Sequence, residues 1–164
     1  MSVARVALLG AESTGKSTLA QALAARYGTR WVPEYLREFV DVHARVPRED
    51  ALARDTRARH YLFCDTTPLM TAVYSRVYWG RVPHELLALE AAHDYAFTLV
   101  AAPDLPWVPD GLQRESEAVR LRVHAQLVEV LEARGIAFTL LTGELAARVA
   151  QVEALLGRPA AEKR

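Results

Sequence analysis

Residues 10–17 read Gly-Ala-Glu-Ser-Thr-Gly-Lys-Ser and satisfy the spacing G-x-x-x-x-G-K-[ST] at every specified position. This spacing wraps a run of backbone N–H groups around a chain of phosphates. Gly10 and Gly15 allow turns that a Cβ would obstruct. Lys16 can reach the outer phosphates, and the Ser17 hydroxyl is placed to hold Mg²⁺. Glu12, Ser13, Thr14 and Thr18 complete the wrap, so these residues with Gly10, Gly15, Lys16 and Ser17 are the candidate ATP-binding set. The context agrees. Val3–Leu9 is an apolar strand leading in, and Leu19, Ala20, Leu23, Ala24 and Tyr27 fall on one face of a helix leading out.

The rest of the chain alternates short apolar runs with helical periodicity, the pattern of βαβ units. Strands are expected at Val3–Leu9, Arg30–Val32, His60–Cys64, Tyr95–Ala101 and Ile136–Leu141. Helices are expected at Lys16–Tyr27, through Val42, Arg48–Arg59, from Pro68 past Val77, Pro83–His93, up to Arg134, and Glu144–Leu156. Gly28 and Gly135 are expected helix stops. The fold class is therefore α/β: a three-layer phosphate-loop NTPase fold, with a five-stranded parallel sheet flanked by helices. One domain is expected over residues 1–157, with a lid around 103–122 and a polar tail at 158–164. In such sheets ligands bind beyond the carboxyl ends of the strands.

Composition narrows the class. The 164 residues are 51% apolar, enough for a real core. Lys plus Arg equals Asp plus Glu at 20 each, which gives no general attraction to nucleic acid. No apolar run approaches a membrane span of about 20 residues. The first residues carry no export pattern, and the lone Cys64 excludes an internal disulfide. A cytoplasmic protein with a small-molecule substrate is expected, without nucleic acid or membrane as partner. The chain leaves a homo-oligomer open. His43, His60, His84, His93 and His124 show no metal-ligand spacing.

Asp65 follows an apolar strand and is the best acid to face the metal side of the phosphate loop. It can hold Mg²⁺, directly or through water, or accept a proton from a substrate hydroxyl. A helix N-cap is the alternative. In Val32-Pro-Glu-Tyr-Leu-Arg-Glu, Glu34 and Arg37 lie at i, i+3 at a helix start, where they can grip an acceptor or form a surface pair. Pro103-Asp-Leu-Pro-Trp-Val-Pro-Asp-Gly-Leu-Gln-Arg is stiffened by three prolines and reads as a lid. Trp107 can cover a flat ring. Arg114 and Arg120 can swing onto a transferring phosphoryl group. Thr142 and Gly143 can bring backbone groups to adenine, or form a simple turn.

Taken together, G-A-E-S-T-G-K-S-T-L, V-P-E-Y-L-R-E, L-F-C-D-T-T-P, D-Y-A-F-T-L-V and D-L-P-W-V-P-D-G resemble the ribosylnicotinamide kinase domain of NadR-type proteins. The resemblance runs from about Val3 to Leu141. It implies ATP-dependent phosphorylation of nicotinamide riboside at its 5′-hydroxyl, giving nicotinamide mononucleotide for NAD salvage. Adenylyltransferase and DNA-binding domains accompany many such chains, and this sequence is too short for either, so a stand-alone kinase is expected. Relatives tend to place Arg directly after the D-G-x unit, where this chain has Gln113, with Arg114 next. The substrate chemistry agrees with the residues on offer. A cationic pyridinium ring favours aromatic faces and carboxylates, and Trp31, Tyr35, Trp107, Glu34 and Asp110 supply them. Lys16, Asp65, Arg114 and Arg120 are the candidate catalytic residues; Glu34, Tyr35, Arg37, Trp107 and Asp110 the substrate-binding ones; Ser17 and Asp65 the metal ligands. Thr142 joins the ATP set. A kinase for another nucleoside or small polyol is the nearest alternative, and a non-catalytic ATP-binding regulatory module is the alternative from another class.

Overall fold

The strands of the sheet run in the order β2-β3-β1-β4-β5, and every pair is parallel. They are β1 (Ala4–Leu9), β2 (Arg30–Val32), β3 (Tyr61–Asp65), β4 (Phe97–Ala101) and β5 (Thr139–Leu141). The helices are α1 (Lys16–Tyr27), α2 (Pro68–Trp79), α3 (His84–Ala91), α4 (Glu117–Ala133) and α5 (Leu145–Leu156). This computed structural model describes residues 3–11, 13–33, 60–106 and 116–157. The helical stretches expected through Val42 and over Arg48–Arg59 lie outside those residues.

β1 sits at the centre, so both of its faces are covered, and from Val6 to Leu9 it is apolar and buried. Its side chains alternate between two cores. Val6 and Leu8 pack with Leu19 and Leu23 of α1, Leu99 of β4 and Val152 of α5. Ala7 and Leu9 pack on the opposite face with Leu69 and Val73 of α2, Val100 of β4, and Val123 and Leu127 of α4. β4 divides in the same way, Leu99 to one layer and Val100 to the other. The period of two along a strand thus builds three layers.

Most element ends fall where the sequence places them. α1 stops at Gly28, which takes a left-handed conformation (φ 60°) and donates its N–H to the Ala25 carbonyl. Three strands are shorter than expected, β1 only by Val3. β4 begins at Phe97, opposite Val6, because pairing with β1 starts there. β5 begins at Thr139, opposite Leu99, while Ile136 and Phe138 pack against the α2–α4 core layer. α3 also ends early, at Ala91, and His93 beyond it turns to Thr98.

Candidate functional site

The site follows from where two neighbouring strands send their chains. β1 and β3 are paired side by side, yet α1 packs on one face of the sheet and α2 on the other. Chains leaving in opposite directions open a crevice beyond the carboxyl ends of the two strands. Ser17, in the first turn of α1, and Asp65, the last residue of β3, meet across it. The Ser17 hydroxyl donates to Asp65 Oδ2 at 2.7 Å, and the Thr66 hydroxyl donates to Oδ1 at 3.3 Å.

Asp65 is 1% exposed, and no basic side chain among the described residues pairs with it. A buried carboxylate without a cation is costly. A carboxylate beside a hydroxyl is the hard-oxygen donor set that Mg²⁺ takes when phosphates and water complete its shell. Ser17 and Asp65 therefore fit this ion. Asp65 does not cap α2, whose N-cap is Thr67. The Thr67 hydroxyl does not cap the helix either. It is buried and has no hydrogen-bond partner among the described residues.

The phosphate loop is held from within and from behind. Gly10 has φ 155°, and a Cβ there would stand 3.0 Å from both the Ala101 carbonyl and Thr14 Oγ1. Gly15 has φ 79°, and Ser13 also takes a positive φ, 56°. The Ala11 carbonyl accepts from Thr14 Oγ1 at 2.7 Å and from Lys16 Nζ at 2.9 Å, which folds the lysine back over the loop. Tyr74 of α2 donates its hydroxyl to the Gly10 carbonyl at 3.2 Å.

Two arginines stand behind the loop. Arg120 of α4 is 3% exposed and donates to the Leu105 carbonyl at 2.7 Å and the Ser13 carbonyl at 3.3 Å. Its sequence position suggests a side chain that can swing; in this structure those two carbonyls hold it. It is pinned between the phosphate loop and the start of the proline-rich segment. Arg148 of α5 is 1% exposed and donates to the carbonyls of Thr14, Gly143 (2.8 Å) and Ala102 (3.0 Å) and to Asp104 Oδ1 (2.6 Å). Partial burial works to raise the Asp104 pKa. The Gly143 N–H and the Arg148 guanidinium outweigh it and hold that carboxyl below its ordinary range.

The structure thus brings together Gly10, Ser13, Thr14, Gly15, Lys16, Ser17, Asp65 and Arg120 of the expected set, with Thr18 in the first turn of α1. Thr142 lies at the end of β5, and its backbone is already engaged. Its N–H donates to Gln151 Oε1 at 3.0 Å, and its carbonyl accepts from Gln151 Nε2 at 2.7 Å. A nucleobase reaching that peptide would have to displace the amide. Glu12, Glu34, Tyr35, Arg37, Trp107, Asp110 and Arg114 lie outside the described residues. Sequence reasoning passed over Arg148 and Asp104. The signal for Arg148 was present: it sits one helical turn before buried Val152, on the inward stripe of α5.

The chain is similar to known proteins in sequence and fold. A family model described as an AAA domain matches residues 5–52 and 46–148. The trifunctional NAD biosynthesis/regulator protein NadR of Escherichia coli (strain K12) is 30% identical over 153 residues, covering 83% of this chain and 37% of NadR. The chain thus spans less than two fifths of that relative. Among solved structures, NadR in complex with NR superposes with a TM-score of 0.73 at 20% identity, covering 99% of this chain and 51% of that one. NadR in complex with NAD and AMP-PNP gives 0.72 at 19% identity, covering 99% and 51%. Deoxyadenosine kinase from M. mycoides gives 0.68 at 11% identity, covering 93% and 98%. At such identities these structures speak for the fold, which is that of nucleoside kinases. The chain belongs to the AAA domain family, as a phosphate-loop domain of the NadR type.

Proposed function

We propose that this protein transfers the γ-phosphoryl group of ATP to the 5′-hydroxyl of nicotinamide riboside, giving nicotinamide mononucleotide for NAD salvage. The observation that carries the reading is the meeting of Ser17 and Asp65 at 2.7 Å beside the phosphate loop. The pair supplies the metal-side carboxylate that phosphoryl transfer requires. The acceptor rests on the relatives: the NadR of Escherichia coli is named for NAD biosynthesis, and a NadR structure holds NR. AMP-PNP in another NadR complex supports ATP as donor.

Phosphoryl transfer asks a protein mainly for positioning and charge stabilisation. In this reading the loop amides of residues 13–18 hold the phosphates, and Lys16 leaves the Ala11 carbonyl to reach the outer ones. Ser17 and Asp65 would hold Mg²⁺, which when bound supplies neutralising charge at the β- and γ-oxygens. The alternative role for Asp65 is to take the proton of the attacking hydroxyl. The family resemblance assigns riboside binding to Glu34, Tyr35, Arg37, Trp107 and Asp110, and charge neutralisation at the phosphoryl group to Arg114; Arg120 adds its charge from behind the loop. The natural setting for this chemistry is the cytoplasm.

An acceptor panel tests the reading. ATP consumption is measured with nicotinamide riboside, uridine, deoxyadenosine and ribose. A signal at least about tenfold stronger in kcat/KM with nicotinamide riboside is expected, equivalent to 1.4 kcal/mol of discrimination. Equal rates with uridine would refute the acceptor. No turnover with any acceptor would refute the kinase.

A further inference from the structure

A trans peptide is planar, so its C=O and N–H point in opposite directions. A carbonyl held on the outside of the phosphate loop therefore turns the next N–H inward. The Ser13 carbonyl is held by Arg120, and the Thr14 carbonyl by Arg148. Those two bonds orient the Thr14 and Gly15 N–H groups. The guanidiniums come from different helices, α4 and α5, and both are buried. Each also grips the segment after β4: Arg120 takes the Leu105 carbonyl, while Arg148 takes the Ala102 carbonyl and the Asp104 carboxylate. Asp104 Oδ2 accepts from the Gly143 N–H at 2.7 Å, which closes the network onto the turn after β5. The Leu105 side chain reinforces it, since a Cβ on Gly15 would meet Leu105 Cδ1 at 3.2 Å.

We propose that Arg148 is a positioning residue for triphosphate binding. Together with Asp104 it fixes the amide orientation of the phosphate loop and ties that orientation to the segment at residues 102–105. Arg148 touches no reacting group. It acts through the Thr14–Gly15 peptide. Its planar fork spends four bonds on four acceptors that converge from the ends of β4 and β5 and from the loop. A lysine could satisfy only part of that set. Movement of the 102–105 segment would then alter the grip on phosphate directly, because one guanidinium holds both. The proposal rests on the phosphate loop binding ATP, as argued above.

The test compares the wild type with Arg148→Met, Arg148→Lys and Asp104→Asn. Two readouts are needed: the amide resonances of Thr14 and Gly15 in the ligand-free protein, and affinities for ATP·Mg²⁺ and for nicotinamide riboside measured separately. Arg148→Met is expected to shift the Gly15 amide more than that of Thr14, which Arg120 still orients, and to weaken ATP by about tenfold or more. It should leave riboside affinity within about twofold and should raise KM for ATP. Arg148→Lys should recover part of the loss. Unshifted amides and unchanged ATP affinity would overturn the proposal. So would equal losses for ATP and riboside, which mark a merely structural role. If Arg148→Met does not fold, Asp104→Asn decides: an ATP affinity weakened by about threefold supports the latch, and no change overturns it. A wild type that binds no ATP would count against the proposed function, and the amide comparison would still decide the latch.

Discussion

Asp65 carries opposite obligations toward stability and chemistry. Its carboxylate is buried, accepts from Ser17 and Thr66, and has no basic partner among the described residues. Desolvation of that charge opposes folding, and a bound cation would relieve it. Asp65→Asn is therefore expected to leave the thermal midpoint unchanged or higher, while turnover falls by about a hundredfold or more. Calorimetry beside steady-state rates checks both halves; a lower midpoint with retained turnover would make Asp65 a structural residue. Glycine gives a second contrast. Gly10→Ala would drive a Cβ against the Ala101 carbonyl and Thr14 Oγ1, whereas Gly28 has open space around it. Urea denaturation should show a loss of about 3 kcal/mol for Gly10→Ala and about 1 kcal/mol for Gly28→Ala, the latter being the conformational cost alone.

Elements here are joined by polar contacts that the apolar pattern does not reveal. Glu90 of α3 is fully buried and takes two bonds from Arg76 of α2, at 2.8 and 2.9 Å. Arg134, at the end of α4, reaches the same carboxylate at 3.1 Å. Beside this group His93 shares a hydrogen bond with Thr98 at 3.1 Å. Burial, and then the Arg134 charge, push the His93 pKa down to about 4. The native state thus resists a proton that the unfolded chain accepts near pH 6.5. Between these values the unfolded state binds more protons, so stability falls as pH drops from about 6.5 toward about 4. His93→Gln should flatten much of that slope in denaturant titrations at pH 7, 6 and 5. His124, whose pKa burial also lowers, supplies a remainder. Asp104 gives way only at lower pH, because its depressed pKa keeps its contribution in place until pH falls through the folded value. An unchanged slope in His93→Gln would assign the loss to other groups.

The same distinction explains what could be read from the chain. Residues 10–17 and the alternation of Val6, Ala7, Leu8 and Leu9 are local signals, and they give the loop, the central strand and the layers. Asp65 was legible because a carboxylate closing an apolar strand has few places to go. Arg148 and Asp104 were not singled out, since the contacts of Arg148 with the Thr14 and Ala102 carbonyls and with Asp104 each span more than 40 residues of sequence. The fixed posture of Arg120 was missed for the same reason: its partners are the backbones of Ser13 and Leu105, and backbone carbonyls leave no mark in a sequence.

At the scale of the whole molecule, a parallel sheet with helices on both faces gathers the loops after β1, β3, β4 and β5 at one edge. No helix among the described residues is long and apolar enough to cross a membrane. Following the phosphorus atom tests most directly the proposed transfer from ATP to a riboside alcohol at this edge. With ATP labelled in its γ-phosphate, Mg²⁺ and nicotinamide riboside, one label should appear in the riboside 5′-phosphate for each ATP consumed, and none with Lys16→Ala. Label found only in inorganic phosphate, or retained in ATP bound to the protein, would contradict it.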